Sequence, residues 1–316
     1  ATSPLLRQRA DYELREIVVR SSDAGGCAVN LGDGLASLGV GLHYFGTVGA
    51  PLHPAFTAFA SKCRSCTSVG TVYGRSLAFE FADGKFFFTA MEQLAELTPE
   101  LLERTLADGA YQRACRTAGL IVLNNWTCYP HMTACWRLLQ QRIFATLPHR
   151  PYVFIDLVDP SGRSAADVRA MLDVVRSMEG SCRVVLGLNL TEAALLTGQL
   201  GLSAWGSGSS AMSQGAAALR SALGLSEVVI HNRAGNALAR ADGSLAVPPG
   251  PHCPAPSKSV GAGDRFNAGY CLGLLLGLEG DERLNLGSAT AGFFLRQARS
   301  ASVSELLGFL RAWAAG

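Results

Sequence analysis

Gly261-Ala262-Gly263-Asp264 stands directly ahead of an apolar run in which Phe266, Tyr270, Leu274 and Gly277 recur at helical spacing. The first-turn amides of such a helix have no intrahelical partner and point back at the glycine turn. With the helix dipole they make an anion site, and glycine lets the backbone approach a phosphate closely. A carboxylate beside a bound phosphoryl group is electrostatically awkward unless it has work there. Deprotonating the hydroxyl that attacks the phosphorus is such work. By itself the tetrapeptide also reads as a tight turn followed by an N-capping aspartate.

A second glycine pair, Gly25-Gly26, precedes Asn30 on a segment whose Leu31, Leu35 and Leu38 form one helical face. Asn30 points away from that face, toward whatever the glycine turn admits. A glycine turn with a solvated asparagine is the plain alternative.

Other chemistries lose ground. A G-x-x-x-x-G-K-[ST] loop is absent, since Phe79 stands where Gly84-Lys85 would need the first glycine. Gly32-Asp33-Gly34 is followed by Ser37, which breaks a dinucleotide fingerprint, and neither H-E-x-x-H nor G-x-S-x-G occurs. The 316 residues carry a net charge of +2 and are only 16% charged, with no basic stripe, so nucleic acid is not expected as a partner. Apolar stretches fall short of the ~18 residues of a membrane span, so no membrane partner is expected. The opening "ATSPLLRQRADYELRE" becomes charged too early for a secretory leader. Nine scattered cysteines, an odd number, read as reduced thiols of a cytoplasmic protein. Cys63-Arg64-Ser65-Cys66 lacks the second pair or spaced histidines of a zinc site.

The elements that must position these residues alternate. "LHYFGTVG", "GLIVLNN", "YVFIDLVD", "CRVVLGLN" and "EVVIHN" are short and almost continuously apolar, as strands buried on both faces of a parallel sheet are. Helical segments are expected at 98–117, 130–147, 165–178, 190–197 and 210–223, the first with Thr98 as N-cap and Pro99 at the first helical position. Two regions, 12–22 and 71–90, alternate polar and apolar residues instead, and Asp83-Gly84 marks a hairpin turn in the second. They predict a small antiparallel sheet, a lid or a surface for a homodimer. The Gly/Ser-rich stretch 201–210 is too short for a domain linker, so residues 1–316 read as one domain.

Taken together and in order, Gly25-Gly26-x-x-x-Asn30 and Gly261-Ala262-Gly263-Asp264 resemble the ribokinase-like (PfkB) family of carbohydrate and nucleoside kinases, over roughly residues 12–313. The resemblance implies a three-layer αβα, doubly wound, mainly parallel α/β fold with a small antiparallel β lid. It implies ATP-dependent, Mg2+-assisted phosphorylation of a hydroxymethyl group on a sugar-like small molecule, with Asp264 as base and Gly261, Ala262 and Gly263 as anion hole. Gly25, Gly26 and Asn30 would grip the sugar, with Asn124 and Arg163 as further substrate-side residues and Asp156 and Asp159 beside them. Asn189 and Glu192 match the family's N-x-x-E near the magnesium and phosphates, Glu192 acting on the metal indirectly. His231 and Arg233 replace its T-x-G nucleotide loop, and Ala289, with Ser288 and Gly292, falls where it packs adenine. Lys258 replaces the aspartate at the head of the C-terminal motif. An inward ammonium would repel potassium and an outward one leaves the site without its aspartate, so both weigh against a monovalent cation. The family usually opens with a strand that carries a sugar-binding aspartate, and the sequence reads as beginning after it, as a truncated N-terminus would explain. A nucleoside kinase, or a catalytically silent sugar- or nucleotide-binding regulator, would carry many of the same residues.

Overall fold

The apolar runs lie side by side in a computed structural model that describes residues 17–19, 22–81, 84–206 and 208–315. In chain order, β1 (His43–Gly46) and β2 (Ser65–Ser68) pair in parallel, and β3 (Arg75–Phe81) and β4 (Gly84–Ala90) form an antiparallel hairpin. β5 (Leu120–Asn124), β6 (Tyr152–Asp156), β7 (Arg183–Asn189), β8 (Glu227–Asn232), β9 (Gly235–Arg240) and β10 (Gly243–Val247) build a six-stranded sheet in the order β10-β9-β8-β7-β6-β5. β5 to β8 run parallel, while β9 and β10 fold back as an antiparallel edge.

Successive strand residues bury on opposite faces, as the pleat requires. Val153, Ile155, Val184, Leu186, Val228 and Ile230 pack under helices Met132–Arg142, Ala165–Met178, Leu190–Gln199 and Ser209–Leu223. Phe154, Val185 and Val229 face the opposite way, against helices Cys27–Ser37 and Ala262–Leu276 and against Leu284 of helix Gly280–Gln297. Helices on both faces of a mainly parallel sheet give the expected α/β class. No helix among the described residues is long and apolar enough to cross a membrane.

Several expectations need correction. The run "LHYFGTVG" supplies β1, but β1 pairs with β2 and stands outside the six-stranded sheet. A cavity of about 380 Å³ separates it from β5. The helix expected over 98–117 is two, Pro99–Leu106 and Ala110–Cys115, because Gly109 turns left-handed at φ +71°. That expected over 130–147 stops at Arg142 before a single 3-10 turn, Phe144–Thr146. Thr98 does cap its helix, its hydroxyl accepting from the Leu101 N–H. The hairpin of 71–90 forms as read, with Leu77 opposite Phe88 and Phe79 opposite Phe86 on one face. Residues 12–16, 20 and 21 of the other lid segment lie outside the described residues, and 17–19 and 22 belong to no strand.

Candidate active site

The two glycine turns meet. Gly26, at φ +99°, turns the chain into helix Cys27–Ser37, and Gly261, at φ +93°, turns it into helix Ala262–Leu276. The helices pack closely because Gly34 faces Ala268, where an added Cβ would come within 2.6 Å of the Ala268 methyl. One turn before Gly34, Asn30 Nδ2 donates to Asp264 Oδ2 at 2.8 Å. Gly25 and Gly26 are exposed at the mouth of this contact.

Asp264 is buried, and burial raises its pKa. Hydrogen bonds from Asn30 and Cys27 and the adjacent Arg265 charge oppose the rise. Burial and the Asp264 charge hold the Cys27 thiol protonated, well above its ordinary pKa. At the turn, the Ala262 N–H donates to the Ser259 carbonyl at 3.2 Å, and that of Arg265 closes the first helical bond onto Gly261 at 3.2 Å. The N–H groups of Gly263 and Asp264 find no backbone acceptor among the described residues, so two donors and the positive end of a 15-residue helix face one place. That donor set suits a phosphate.

Asp156, at the end of β6, joins this group. Its Oδ2 accepts from Asn267 Nδ2 at 2.8 Å, and its Oδ1 from the Val158 N–H at 3.2 Å. Val158 holds a left-handed φ of 63°, costly for a β-branched residue. Burial and the neighbouring Asp264 and Glu192 charges push the Asp156 carboxyl up to about 8. Asn267, one turn along from Asp264, was not singled out by the sequence, although helical spacing places it on the same face.

The remaining candidates separate. His231, the penultimate residue of β8, lies against Phe266, ring centroids 5.0 Å apart, with Cε1 3.2 Å from where a Gly263 Cβ would sit. Burial pushes its pKa down to about 4, so it comes up beneath the turn as a neutral ring and brings no positive charge for a phosphate. Asn189 and Glu192 form a capping box, each side chain accepting the other's backbone N–H, at 2.9 and 2.8 Å. Burial raises the Glu192 pKa. No group of three His, Cys, Asp or Glu among the described residues could hold a metal. Arg233 is exposed at the β8–β9 turn. Asp159 caps a 3-10 turn, accepting from the Ser161 N–H at 3.0 Å. Asn124, at the end of β5, is buried on the cavity wall with both side-chain polar atoms unpartnered.

Two residues do structural work instead. The Arg163 guanidinium stacks 4.3 Å from the Trp126 ring centroid and donates to the Tyr129 carbonyl at 3.2 Å, so it pins the 126–130 segment. Ala289 is fully buried among Leu38, Phe293 and Leu306, so its smallness serves helix packing and leaves no face for a base. Lys258 turns outward, 41% exposed, with its ammonium 3.9 Å from Asp23.

Known proteins share this plan. The ribokinase of Arabidopsis thaliana, solved with ribose and ATP, superposes with a TM-score of 0.70 at 18% identity, covering 96% of this chain and 93% of that one. The ribokinase of Thermotoga maritima gives 0.68 at 16%, covering 91% and 87%. At those identities the likeness is one of fold. In sequence, the chain is 28% identical over 240 residues to the ketohexokinase of Haloferax volcanii, a match covering 75% of this chain and 62% of the relative's length. The family model for prokaryotic ketohexokinase matches residues 11–313, which include both glycine turns, Asn30 and Asp264, and the chain belongs to that family.

Proposed function

We propose that the protein transfers the γ-phosphoryl group of ATP to a hydroxymethyl hydroxyl of a sugar, with ketohexoses the first class to test. The observation that carries this reading is the 2.8 Å bond from Asn30 to Asp264, which puts a buried carboxylate at the seam between the two glycine turns. The Gly25–Gly26 side admits the sugar, and Asn30 orients it. The free amides of Gly263 and Asp264 receive the phosphoryl oxygens. Asp264 takes the proton of the attacking hydroxyl as its oxygen bonds to the γ-phosphorus. The bond from that phosphorus to the bridging oxygen breaks, and ADP leaves with the electron pair. A raised pKa suits this role, because a base works best when its pKa lies near the working pH. Magnesium, when bound, neutralises phosphate charge, and with no protein cage for it among the described residues the ion would arrive on the nucleotide. Family membership and the ketohexokinase relative support a sugar acceptor.

The test is an ATP-consumption screen over ketohexoses, aldohexoses, pentoses and nucleosides. Turnover with a ketohexose, and background rates with nucleosides, is the expected result. Turnover confined to nucleosides would reassign the substrate. No consumption with any acceptor would favour a silent binder and overturn the proposal.

A further inference from the structure

Arg265 follows Asp264 directly, yet its guanidinium is turned inward and the residue is only 6% exposed. Nε donates to Ser300 Oγ at 3.0 Å and Nη2 to Asp33 Oδ2 at 3.1 Å, while the plane lies over Phe294, 4.7 Å from the ring centroid. Ser300 Oγ donates to the same Asp33 oxygen at 2.6 Å, and Lys62 Nζ reaches the other at 2.6 Å. Two edges of the guanidinium are thereby fixed. The third, Nη1, is buried and has no hydrogen-bond partner.

Nη1 is aimed at the glycine turn. A Cβ on Gly261 would lie 3.5 Å from it and 3.3 Å from Asn30 Nδ2. Glycine leaves that position open, flanked by two donor nitrogens. Asn30 uses one hydrogen on Asp264 and keeps the other, while Nη1 spends none. A buried N–H without an acceptor is destabilising, so a charged one is retained where an acceptor arrives. A guanidinium suits this geometry because its planar fork lets Ser300 and Asp33 set the direction of the third nitrogen.

We propose that Arg265 contacts the reacting group: its Nη1 donates to a non-bridging oxygen of the phosphoryl group in transfer, at the open position beside Gly261. This rests on the phosphoryl-transfer reading above. Arg265 moves no proton and stays a cation throughout, matching the charge on the group as it passes from ADP to the sugar oxygen. Asp33 and Ser300 are positioning residues for it.

The test compares the unmodified protein with Arg265→Lys and Arg265→Met. It measures kcat, the sugar KM, and dissociation constants for ADP alone and for ADP with aluminium fluoride, a mimic of the transferring group. Arg265→Lys keeps the charge and the stem and guards against loss of folding in Arg265→Met. The expected result is a fall in kcat of about 10²-fold, the scale of removing one oxyanion donor, with sugar KM and ADP affinity within a few-fold. The extra affinity that aluminium fluoride confers on ADP should fall in parallel. A folded Arg265→Lys with unchanged kcat and unchanged fluoride-dependent affinity would make Arg265 a mere strut and overturn the inference. An unmodified protein with neither turnover nor fluoride-dependent affinity would overturn the transfer reading, and this inference with it.

Discussion

Asn30 and Asp264, separated by 234 positions in the chain, share one hydrogen bond of 2.8 Å. The contact makes the Gly25–Gly26 turn part of the environment of the carboxylate. Removing a donor from the charged form of a buried acid raises its pKa. Asn30→Ala is therefore expected to raise the sugar KM and also to shift the acid limb of the kcat/KM profile to higher pH. A pH–rate profile that does not move would show that Asn30 acts on the sugar alone.

Asp264→Asn keeps the shape of the side chain and removes the proposed base. Turnover should drop roughly 10²-fold or more while ATP binding, measured by calorimetry, stays near its original value. Activity close to that of the unmodified protein would take Asp264 out of the proton transfer.

Folding stability should carry the mark of Asp156. Its carboxyl holds a proton in the folded state up to about pH 8, whereas the unfolded chain releases it near the ordinary value of about 3.9. Between those values the unfolded chain binds fewer protons, so this group's contribution to stability falls as pH rises. Asp156→Asn removes that slope, and Asn267 can turn its unpartnered Oδ1 to accept from the new amide. The melting temperature of the variant should gain on the original steadily from pH 5 to pH 8. Parallel curves would place the Asp156 pKa near its ordinary value.

Gly34→Ala tests the seam between the helices. The new methyl would meet Ala268 at 2.6 Å and force the helices apart, at a cost of about 1–3 kcal/mol. Calorimetry should show the loss of stability, and sugar KM should rise because Asn30 and Asp264 part as well. An unchanged melting temperature would show that the helices yield freely.

The hairpin leaves Leu77 and Phe88, cross-strand partners, 50% and 56% exposed, with Phe86 beside them. An apolar face of this kind wants cover, from bound substrate or from a second hairpin. Amide exchange over 75–81 and 84–90 should slow on adding a ketohexose with a non-hydrolysable ATP analogue, or the protein should sediment as a dimer. A monomer with unresponsive exchange would deny both roles.

What could be read from the sequence was what local chemistry encodes. Gly26 and Gly261 need positive φ, and each opens a helix, so both turns show themselves within a few residues. Asn189 and Glu192 illustrate the opposite hazard. Their spacing fits a phosphate-side motif, and it equally fits a capping box, which is the contact they make. Arg163 and Ala289 make packing contacts, and arginine and alanine pack helices and loops as readily as they line sites. Arg265, Asp33 and Ser300 could not be found at all: their bonds span 35, 232 and 267 positions and leave no local pattern. The antiparallel β9–β10 edge was passed over because short polar-flanked runs such as "GNALAR" carry little periodicity.

The clamp on Asp33 also bears on the order in which the molecule folds. Arg265 and Ser300 follow Asp33 by 232 and 267 residues along the chain. Lys62, which bonds the other Asp33 oxygen, lies only 29 residues away, whereas pairing across the longer distances is slow to form. The parallel strands and their covering helices can gather first. The Asn30–Asp264 contact closes only when helix Ala262–Leu276 docks on helix Cys27–Ser37.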